Sequence, residues 1–327
     1  MIMIEAKGLR TWFPISGGVF GRTVGHVRAV DGIDVSVSEQ EIVSIVGESG
    51  CGKSTLGQSL VGLLPITSGS VTLQGRTLDI SNANSWRPFR KDFQIIFQDP
   101  FTSLNPRHTI FRILSEPLRL HHICPARELR GHCAELLQKV GLPPDYLDRF
   151  PHEFSGGQRQ RIAIARSIGP RPRVIICDEV VSALDVSVQA QIINLLLDLK
   201  REMGLSLMFI THDLSLVKAI SDRVYVMYLG KIVEEAKTRD LFSHPRHPYT
   251  EALLQSIPTL DRTIRPKTLG GDVPSPVNVP IGCVFQGRCP YVQAECRSVH
   301  PEIREVGASK VACYFPLTYK TEENKTS

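Results

Sequence analysis

Short apolar runs recur along the first three-quarters of the chain, and each is too short to form a helix. They occupy residues 42–46, 94–97, 174–177, 205–210 and 224–228. Unbroken apolar runs are typical of strands that are covered on both faces of a sheet. Between them, residues 186–203 place most of their apolar side chains on one helical face. Strands that alternate with helices predict an α/β fold with a mainly parallel core sheet.

Three other segments of this region have different patterns. Residues 27–37 and 70–74 are better explained as antiparallel strands beside the core sheet. Residues 99–151 are rich in Leu, Arg and His and are bounded by prolines, which favours a helical insertion between two core strands. We take the complete helical subdomain as residues 99–157.

The pattern changes again after residue 255. Prolines at 258, 266, 274, 276 and 280 indicate an irregular arm, which is followed by a cysteine-rich stretch and a polar tail. The sequence therefore predicts a main domain over residues 1–257 and a C-terminal extension over residues 258–327. Residues 320–327 have the composition of a disordered chain end.

A glycine-rich segment follows the first core run. Residues 47–55, Gly-Glu-Ser-Gly-Cys-Gly-Lys-Ser-Thr, match the phosphate-loop pattern G-x-x-x-x-G-K-[ST] in full. The glycines let backbone amides turn toward a phosphate, and the following helix, predicted to continue to residue 64, adds its positive end. The loop therefore predicts binding of ATP with Mg²⁺, and we expect the ATP to be hydrolysed.

Individual residues of this loop have defined roles in such sites. Lys53 reaches the β- and γ-phosphates, the Ser54 hydroxyl is a magnesium ligand, and Thr55 adds a phosphate contact. The other predicted nucleotide-binding residues of the loop are Gly47, Ser49, Gly50, Cys51 and Gly52. A glycine-rich turn that matches by chance is the alternative, but the strand before the loop and the helix after it argue against this.

Two adjacent carboxylates end a later apolar run, at Asp178 and Glu179. In a phosphate-loop enzyme the first carboxylate holds Mg²⁺, usually through water. Glu179 is then placed to polarise the attacking water. An exposed pair of acids at a sheet edge would be the better interpretation if no phosphate loop preceded it.

Composition and charge narrow the function further. The chain is 42% hydrophobic and 22% charged, and its net charge of +5 is spread without a basic stripe, so we expect no nucleic-acid partner. No segment approaches the ~20 apolar residues that cross a bilayer, and the first residues lack the layout of a signal peptide. We therefore expect a cytosolic chain whose eight cysteines are thiols or metal ligands rather than disulfides.

Several further motifs resemble, in the same order, those of the ATP-binding cassette (ABC) family. Residues 154–158, Phe-Ser-Gly-Gly-Gln, are similar to its signature motif, with Phe in place of the more common Leu. Gln98 resembles its Q-loop glutamine, residues 182–185 its D-loop, and His212 its switch histidine. The resemblance covers residues 3–257. It implies the P-loop ATPase fold of that family, with a parallel core sheet, an antiparallel β subdomain and a helical subdomain.

The resemblance also implies which residues catalyse hydrolysis. His212 would contact the γ-phosphate and orient Glu179 and the water. Gln98 would be a magnesium ligand that senses the γ-phosphate and moves the helical insertion. Phe13 would stack on the adenine, although Trp12 is adjacent.

The signature segment implies a second subunit. Its glycines begin a helix, and the start of a helix can bind an anion. The chain therefore has two such helix starts, one after the phosphate loop and one at the signature segment. A single nucleotide site within one chain cannot use both. In the ABC family the subunits form a head-to-tail dimer, in which one subunit's signature closes over the other's phosphate loop. The residues that would bind nucleotide in this way, with the D-loop aspartate, are Ser155, Gly156, Gly157, Gln158 and Asp185.

A narrower resemblance is to the ATPases of oligopeptide and dipeptide importers and their nickel-importing relatives. Residues 247–254, residues 97–106 and the later segments 282–283 and 288–290 are similar to theirs. The resemblance implies two similar ATPase subunits under two membrane permeases, at the cytoplasmic face of the inner membrane, with an extracytoplasmic substrate-binding protein as an indirect partner. The helical insertion would receive a permease helix.

The four cysteines of the extension are Cys283, Cys289, Cys296 and Cys313. Structural zinc sites use close C-x₂-C pairs, and this spacing has none. The wide spacing suits an iron–sulfur cluster better, although it is not that of a ferredoxin. Relatives in the peptide-importer group carry a [4Fe-4S] cluster in this arm, which favours a cluster here; unliganded thiols, zinc and a disulfide stay open.

Two alternative functions belong to other classes. A soluble ABC ATPase that acts on DNA or ribosomes usually has two cassettes or a long coiled-coil insertion, whereas this chain has one cassette and no sustained heptads. A degenerate cassette would bind ATP without efficient hydrolysis, and the presence of Glu179, His212 and the signature argues against it.

Overall fold

The structure, a computed structural model, describes residues 1–17, 22–99, 103–257 and 274–319. Its strands are β1 (Ile2–Gly17), β2 (Arg22–Ser38), β3 (Ile42–Val46), β4 (Ser68–Leu73), β5 (Arg76–Thr77), β6 (Phe93–Ile96), β7 (Val174–Asp178), β8 (Ser206–Ile210), β9 (Arg223–Tyr228), β10 (Lys231–Lys237), β11 (Arg304–Val306) and β12 (Ser309–Val311). Its helices are α1 (Lys53–Leu60), α2 (Ile110–Leu120), α3 (Leu129–Lys139), α4 (Gly156–Ile168), α5 (Val186–Met203), α6 (Leu214–Ile220), α7 (Thr238–Ser243) and α8 (Pro248–Gln255). Short 3₁₀ helices lie at Ala83–Phe89, Ala126–Glu128, Pro144–Asp148, Pro151–Glu153 and Glu295–Arg297.

An eight-stranded sheet forms the core, in the order β11-β12-β10-β9-β3-β8-β7-β6. Neighbouring strands from β9 to β6 are parallel, and β10, β11 and β12 are antiparallel to their neighbours. Successive residues of β8, Leu207 and Met208, belong to different apolar clusters. Both faces of the sheet are therefore covered, and the predicted parallel core is confirmed.

A four-stranded antiparallel sheet, in the order β2-β1-β4-β5, lies beside the core. Leu9 of β1 and Val35 of β2 share an apolar cluster with Leu56 of α1, so this sheet packs on the helix that follows the glycine-rich loop. Strands β1 and β2 pair along most of their length and place Phe13 opposite Val27. The predicted antiparallel strands are confirmed.

The predicted helical insertion consists of α2 and α3, which pack against each other and against α4. Leu114, Leu137 and Ile164 lie in their shared apolar cluster. Strand β6 precedes the insertion and β7 follows it, as predicted. Residues 100–102, within the segment 97–106 named above, lie outside the described residues.

The helix after the glycine-rich loop is shorter than predicted. It ends at Leu60 rather than at residue 64. Gly62 has a φ of +71°, a left-handed conformation that typically ends helices. A Cβ atom at Gly62 would overlap the ring of Trp86, so the turn also makes room for this buried indole.

The described part of the C-terminal extension packs onto the main domain. Strand β12 pairs with β10, with Glu234 opposite Val311, and thereby extends the core sheet. Phe285 joins an apolar cluster formed with residues of β9. Residues 258–273 and 320–327, which include part of the predicted arm and the polar tail, lie outside the described residues. Within the described ranges, no helix has both the length and the apolar character to cross a membrane.

Candidate active site

The glycine-rich loop joins the carboxyl end of β3 to α1. Lys53, the first residue of α1, is buried, and its Nζ donates hydrogen bonds to the carbonyl oxygens of Gly47 at 2.8 Å and Glu48 at 2.9 Å. The ammonium group is thus held inside the curve of the loop. From this position it can exchange carbonyl oxygens for the oxygens of a phosphate.

Two positions of the loop accept only glycine. Gly47 and Gly52 have φ angles of +156° and +105°. A Cβ atom at Gly47 would overlap the carbonyl oxygen of Met227, and one at Gly52 would overlap that of Ala29. The loop is therefore pressed against β9 and β2, and its shape depends on both sheets.

A hydroxyl and a carboxylate meet below the loop. Ser54 Oγ donates a hydrogen bond to Asp178 Oδ1 at 2.8 Å. Burial raises the pKa of Asp178, repulsion by Glu179 raises it further, and the bond from Ser54 opposes both. A cation beside this buried carboxylate would stabilise its charged form. Because Mg²⁺ prefers oxygen ligands, the pair fits the predicted magnesium site.

Glu179 has an uncommon backbone conformation at the end of β7. Its φ is +47°, in a region that is sparsely populated by residues other than glycine. Its N–H donates to the carbonyl oxygen of Ile210, the last residue of β8, at 2.9 Å. The core sheet therefore maintains this conformation, and such local strain is concentrated at functional sites.

Two side chains contact the Glu179 carboxylate. Gln98 Nε2 donates to Oε2 at 3.0 Å, and His212 Nδ1 lies 3.5 Å from Oε1. The Glu179 side chain is 16% exposed, whereas that of His212 is 62% exposed. The structure thus brings the three predicted catalytic residues together. A shielded carboxylate between an amide and an imidazole is suited to polarising a water molecule.

Several of these groups border one cleft of ≈ 250 Å³, whereas His212 lines a second cavity, which Glu179 also borders. The predicted site residues that line it are Ser49, Gly50, Gly52, Lys53, Ser54, Thr55, Gln98 and Glu179. Cys51 is a buried part of the loop, and burial raises the pKa of its thiol. The cleft therefore unites the phosphate loop, the Q-loop glutamine and the carboxylate.

Three residues that line the cleft were missed by sequence reasoning, namely Val27, Ala29 and Pro276. Phe13 pairs with Val27, and directly opposed residues of two strands lie on the same face of a sheet. The predicted aromatic residue therefore lies on the face of β1 and β2 that borders the cleft. Pro276 belongs to the C-terminal extension, and no local sequence signal connects it with a nucleotide.

The signature-like segment lies at a different place. Ser155 Oγ accepts a hydrogen bond from the Gln158 N–H at 3.3 Å, and the Ser155 N–H donates to Gln158 Oε1 at 3.0 Å. This capping box organises the start of α4. Of the described residues that line the cleft, none belongs to residues 155–158. Asp185, the residue before α5, is not among the lining residues either. The chain does not bring these predicted nucleotide-binding residues to its own phosphate loop.

Comparison with known proteins places the chain in a family. The family profile described as "ABC transporter" matches residues 30–182, and that described as "Oligopeptide/dipeptide transporter, C-terminal region" matches residues 233–296. The oligopeptide transport ATP-binding protein AppF of Bacillus subtilis is 48% identical over 321 residues, which are 96% of this chain and 97% of that protein. The chain belongs to the ATP-binding cassette family.

Other ABC proteins support this assignment. The oligopeptide transport ATP-binding protein OppF of Escherichia coli is 47% identical over 95% of this chain and 96% of its own length. A dimeric structure of the ATP-binding cassette MJ0796 in a post-hydrolysis state with ADP and Pi has a TM-score of 0.64 and 27% identity, covering 72% of this chain and 99% of that one. The predicted ABC fold is confirmed, and the chain is an ABC-type ATPase.

Proposed function

We propose that this ABC ATPase drives the import of oligopeptides or dipeptides across the cell membrane. The extent of its similarity carries the proposal: the match to AppF spans 96% of the chain. A match confined to the cassette would indicate an ABC ATPase of any kind. Here residues 233–296 also match the C-terminal region of oligopeptide and dipeptide transporters, which favours peptides as the solute.

The proposal includes an assembly at the membrane. The chain pairs with a homologous ATPase subunit at the cytoplasmic face of the inner membrane, under two permeases, and an extracytoplasmic binding protein delivers the peptide. The dimeric state of MJ0796 supports the pairing. So does the position of Ser155 outside the chain's own cleft, because a second subunit would supply the nucleotide that this segment faces.

Within the nucleotide site, the contacts support a role for each group. Lys53 binds the β- and γ-phosphates, and Ser54, Asp178 and Gln98 hold Mg²⁺, which neutralises phosphate charge when it is bound. Glu179 takes a proton from the attacking water.

Two further residues complete these assignments. His212 donates a hydrogen bond to the γ-phosphate. It also orients the Glu179 carboxylate, because its Nδ1 lies 3.5 Å from Glu179 Oε1. Phe13, on the same face as the cleft residue Val27, stacks on the adenine.

Reconstitution tests the solute. The chain, co-purified with its permeases and placed in liposomes, is expected to take up labelled di- and oligopeptides in an ATP-dependent manner when the binding protein is added. Uptake of Ni²⁺ or another small nutrient without peptide uptake would overturn the peptide assignment. ATP turnover that does not respond to any binding protein, permease or vesicle would contradict a transport role.

We further propose that the extension holds a [4Fe-4S] cluster. Cys283, Cys289, Cys296 and Cys313 line a single cavity, which His247 also borders. Burial raises the pKa of Cys283 to about 11 and that of Cys313 to about 12, so these thiols would release protons on binding iron. Four thiolates around one cavity are the donor set of such a cluster. Among the described residues, no three His, Cys, Asp or Glu side chains are arranged around a single metal ion.

A buried imidazole supports the same proposal. His247 Nδ1 accepts a hydrogen bond from the Tyr249 N–H at 3.0 Å, which leaves the proton of the neutral ring on Nε2. His247 is 1% exposed, and within the described parts of the chain its Nε2 has no hydrogen-bond partner. Buried donors are normally satisfied. Sulfur atoms of a cluster in the adjoining cavity would accept this hydrogen bond and be stabilised by it.

Anaerobic purification tests the cluster. The wild-type chain is expected to be brown, to absorb visible light and to contain iron and acid-labile sulfide. Cys289→Ser is expected to lose both the absorbance and the iron, whereas Cys124→Ser, which alters a half-buried cysteine outside the cavity, keeps them. A colourless, iron-free wild-type chain from the anaerobic preparation would refute the assignment.

A further inference from the structure

The second residue of the phosphate loop is bound by a side chain 240 positions away. Arg288 Nη1 donates to Glu48 Oε2 at 2.6 Å, and Arg288 Nη2 donates to Glu48 Oε1 at 3.0 Å. The Arg288 side chain is only 5% exposed. A two-bond contact between a guanidinium and a carboxylate fixes orientation as well as distance, so this ion pair restrains the loop far more than an exposed pair would.

The backbone of Glu48 is held from the same side of the molecule. Its N–H donates to Tyr249 Oη, from α8, at 2.9 Å. Its carbonyl oxygen accepts a bond from Lys53 Nζ at 2.9 Å. The position of Glu48 therefore determines where one acceptor of the phosphate-binding lysine lies.

The turn of the extension that carries Arg288 is well packed against the main domain. The Arg288 N–H donates to the carbonyl oxygen of Phe285 at 3.0 Å. The Phe285 ring packs against Tyr228 and Tyr249, with ring centroids 5.3 Å apart in each pair. The same turn continues into Cys289, one of the four cysteines of the cavity. The guanidinium is thus held by the same turn that carries one of the four cysteines.

A second contact between the extension and the site is independent of this ion pair. The Arg28 N–H donates to the carbonyl oxygen of Pro276 at 3.1 Å, and Pro276 lines the nucleotide cleft. The extension therefore touches the cleft on the side of β2 and touches the loop at Glu48.

We propose that Arg288 is a positioning residue for ATP binding, through which the C-terminal extension holds the phosphate loop of its own chain in a binding-competent shape. Arg288 also neutralises the Glu48 carboxylate. Without it, an unpaired negative charge would lie in the loop that must accept the phosphates of ATP, and like charges repel more strongly in a partly buried site than in water. This inference rests on the ATPase activity and is independent of the transported solute.

ATP binding by the full-length chain tests this role, together with KM and kcat in the assembled transporter. Arg288→Met is expected to weaken ATP affinity and raise the KM for ATP about tenfold, the effect of losing one strong charge-assisted contact, with a smaller change in kcat. Arg288→Lys keeps the charge but not the paired geometry, so we expect an intermediate rise of about threefold.

A double variant separates charge from general damage. In Glu48→Gln/Arg288→Met the unpaired carboxylate is gone but the loop still lacks its restraint, so ATP affinity is expected to recover only in part. As a control, Arg130→Met removes an exposed contact with the same two-bond geometry, Arg130 to Asp148 at 3.1 and 2.6 Å, in the helical insertion. It is expected to leave ATP affinity unchanged.

Three results would overturn the proposal. The first is an ATP affinity in Arg288→Met that equals that of Arg130→Met. The second is a full return to wild-type affinity in the double variant, which would show that the unpaired charge alone, and not the lost restraint on the loop, weakens binding. The third applies if Arg288→Met does not fold: an unchanged KM in Arg288→Lys then refutes the role, because that variant lacks the two-bond geometry that is proposed to hold the loop.

Discussion

Substitution of Glu179 by glutamine is expected to abolish ATP turnover and to leave ATP binding intact. Glutamine keeps the size of the side chain and an oxygen acceptor for the Gln98 amide, 3.0 Å away. It lacks the negative charge that polarises water, and removal of a general base typically lowers the rate about 10²–10⁴-fold. Phosphate release by the assembled transporter and equilibrium binding of ATP measure the two effects. Because ATP stays uncleaved, we also expect a dimer that can be isolated.

The control for this prediction is Glu202→Gln, which alters an exposed glutamate near the end of α5. It is expected to have wild-type turnover and to form no ATP-dependent dimer that persists. Undiminished hydrolysis in Glu179→Gln would remove Glu179 from its role as the base, and loss of ATP binding would show that its contribution is structural.

Gly156→Asp is expected to stop hydrolysis of the nucleotide that the signature segment faces across the dimer. Gly156 is the first residue of α4, and a Cβ atom there would meet only Leu184 Cδ2, at 3.5 Å, so a side chain fits. Aspartate is also favourable in the first turn of a helix. A carboxylate about 4 Å from a phosphate charge costs about 4 kcal/mol at an effective dielectric constant of 20, or about 10²–10³-fold. Single-turnover cleavage in the assembled transporter should leave at least half of the bound ATP intact.

Gly156→Ala is the matched control, because it adds the same Cβ atom without the charge. It is expected to cleave ATP at close to the wild-type rate. If the alanine and aspartate variants lost the same fraction of the ATP cleavage rate, the cause would be the loss of glycine's backbone freedom. Repulsion between the aspartate and a phosphate would then not be needed to explain it.

The local motifs were predictable because their conformation depends mainly on residues that are adjacent in the sequence. The unbroken apolar run of β3, followed by glycines and Lys53, predicted the strand, the loop and the start of α1. The end of α1 was predicted too late, although Gly62 is a local signal for the end of a helix. The local pattern does not show that Gly62 meets Trp86 of the 3₁₀ helix Ala83–Phe89. Patterns along the chain carry no information about such a partner.

The candidate site was predictable in part for the same reason. Motif order placed Gln98, Glu179 and His212 in one site, and in the structure the Glu179 carboxylate lies beside the other two side chains. The bond between Arg288 and Glu48 joins the segment 288–290 to the phosphate loop, 240 positions away, and neither pattern indicates that the two meet. The contact depends on the packing of the extension beside β3 and α8.

The most direct test of a site shared between two subunits compares ATP binding by the isolated Gly156→Asp chain with ATP cleavage in the assembly. The account predicts wild-type affinity in the isolated chain, because residues 155–158 do not line its cleft, together with loss of cleavage after assembly. An affinity that falls as far as the cleavage rate would show that the signature acts on its own phosphate loop, and would contradict the account.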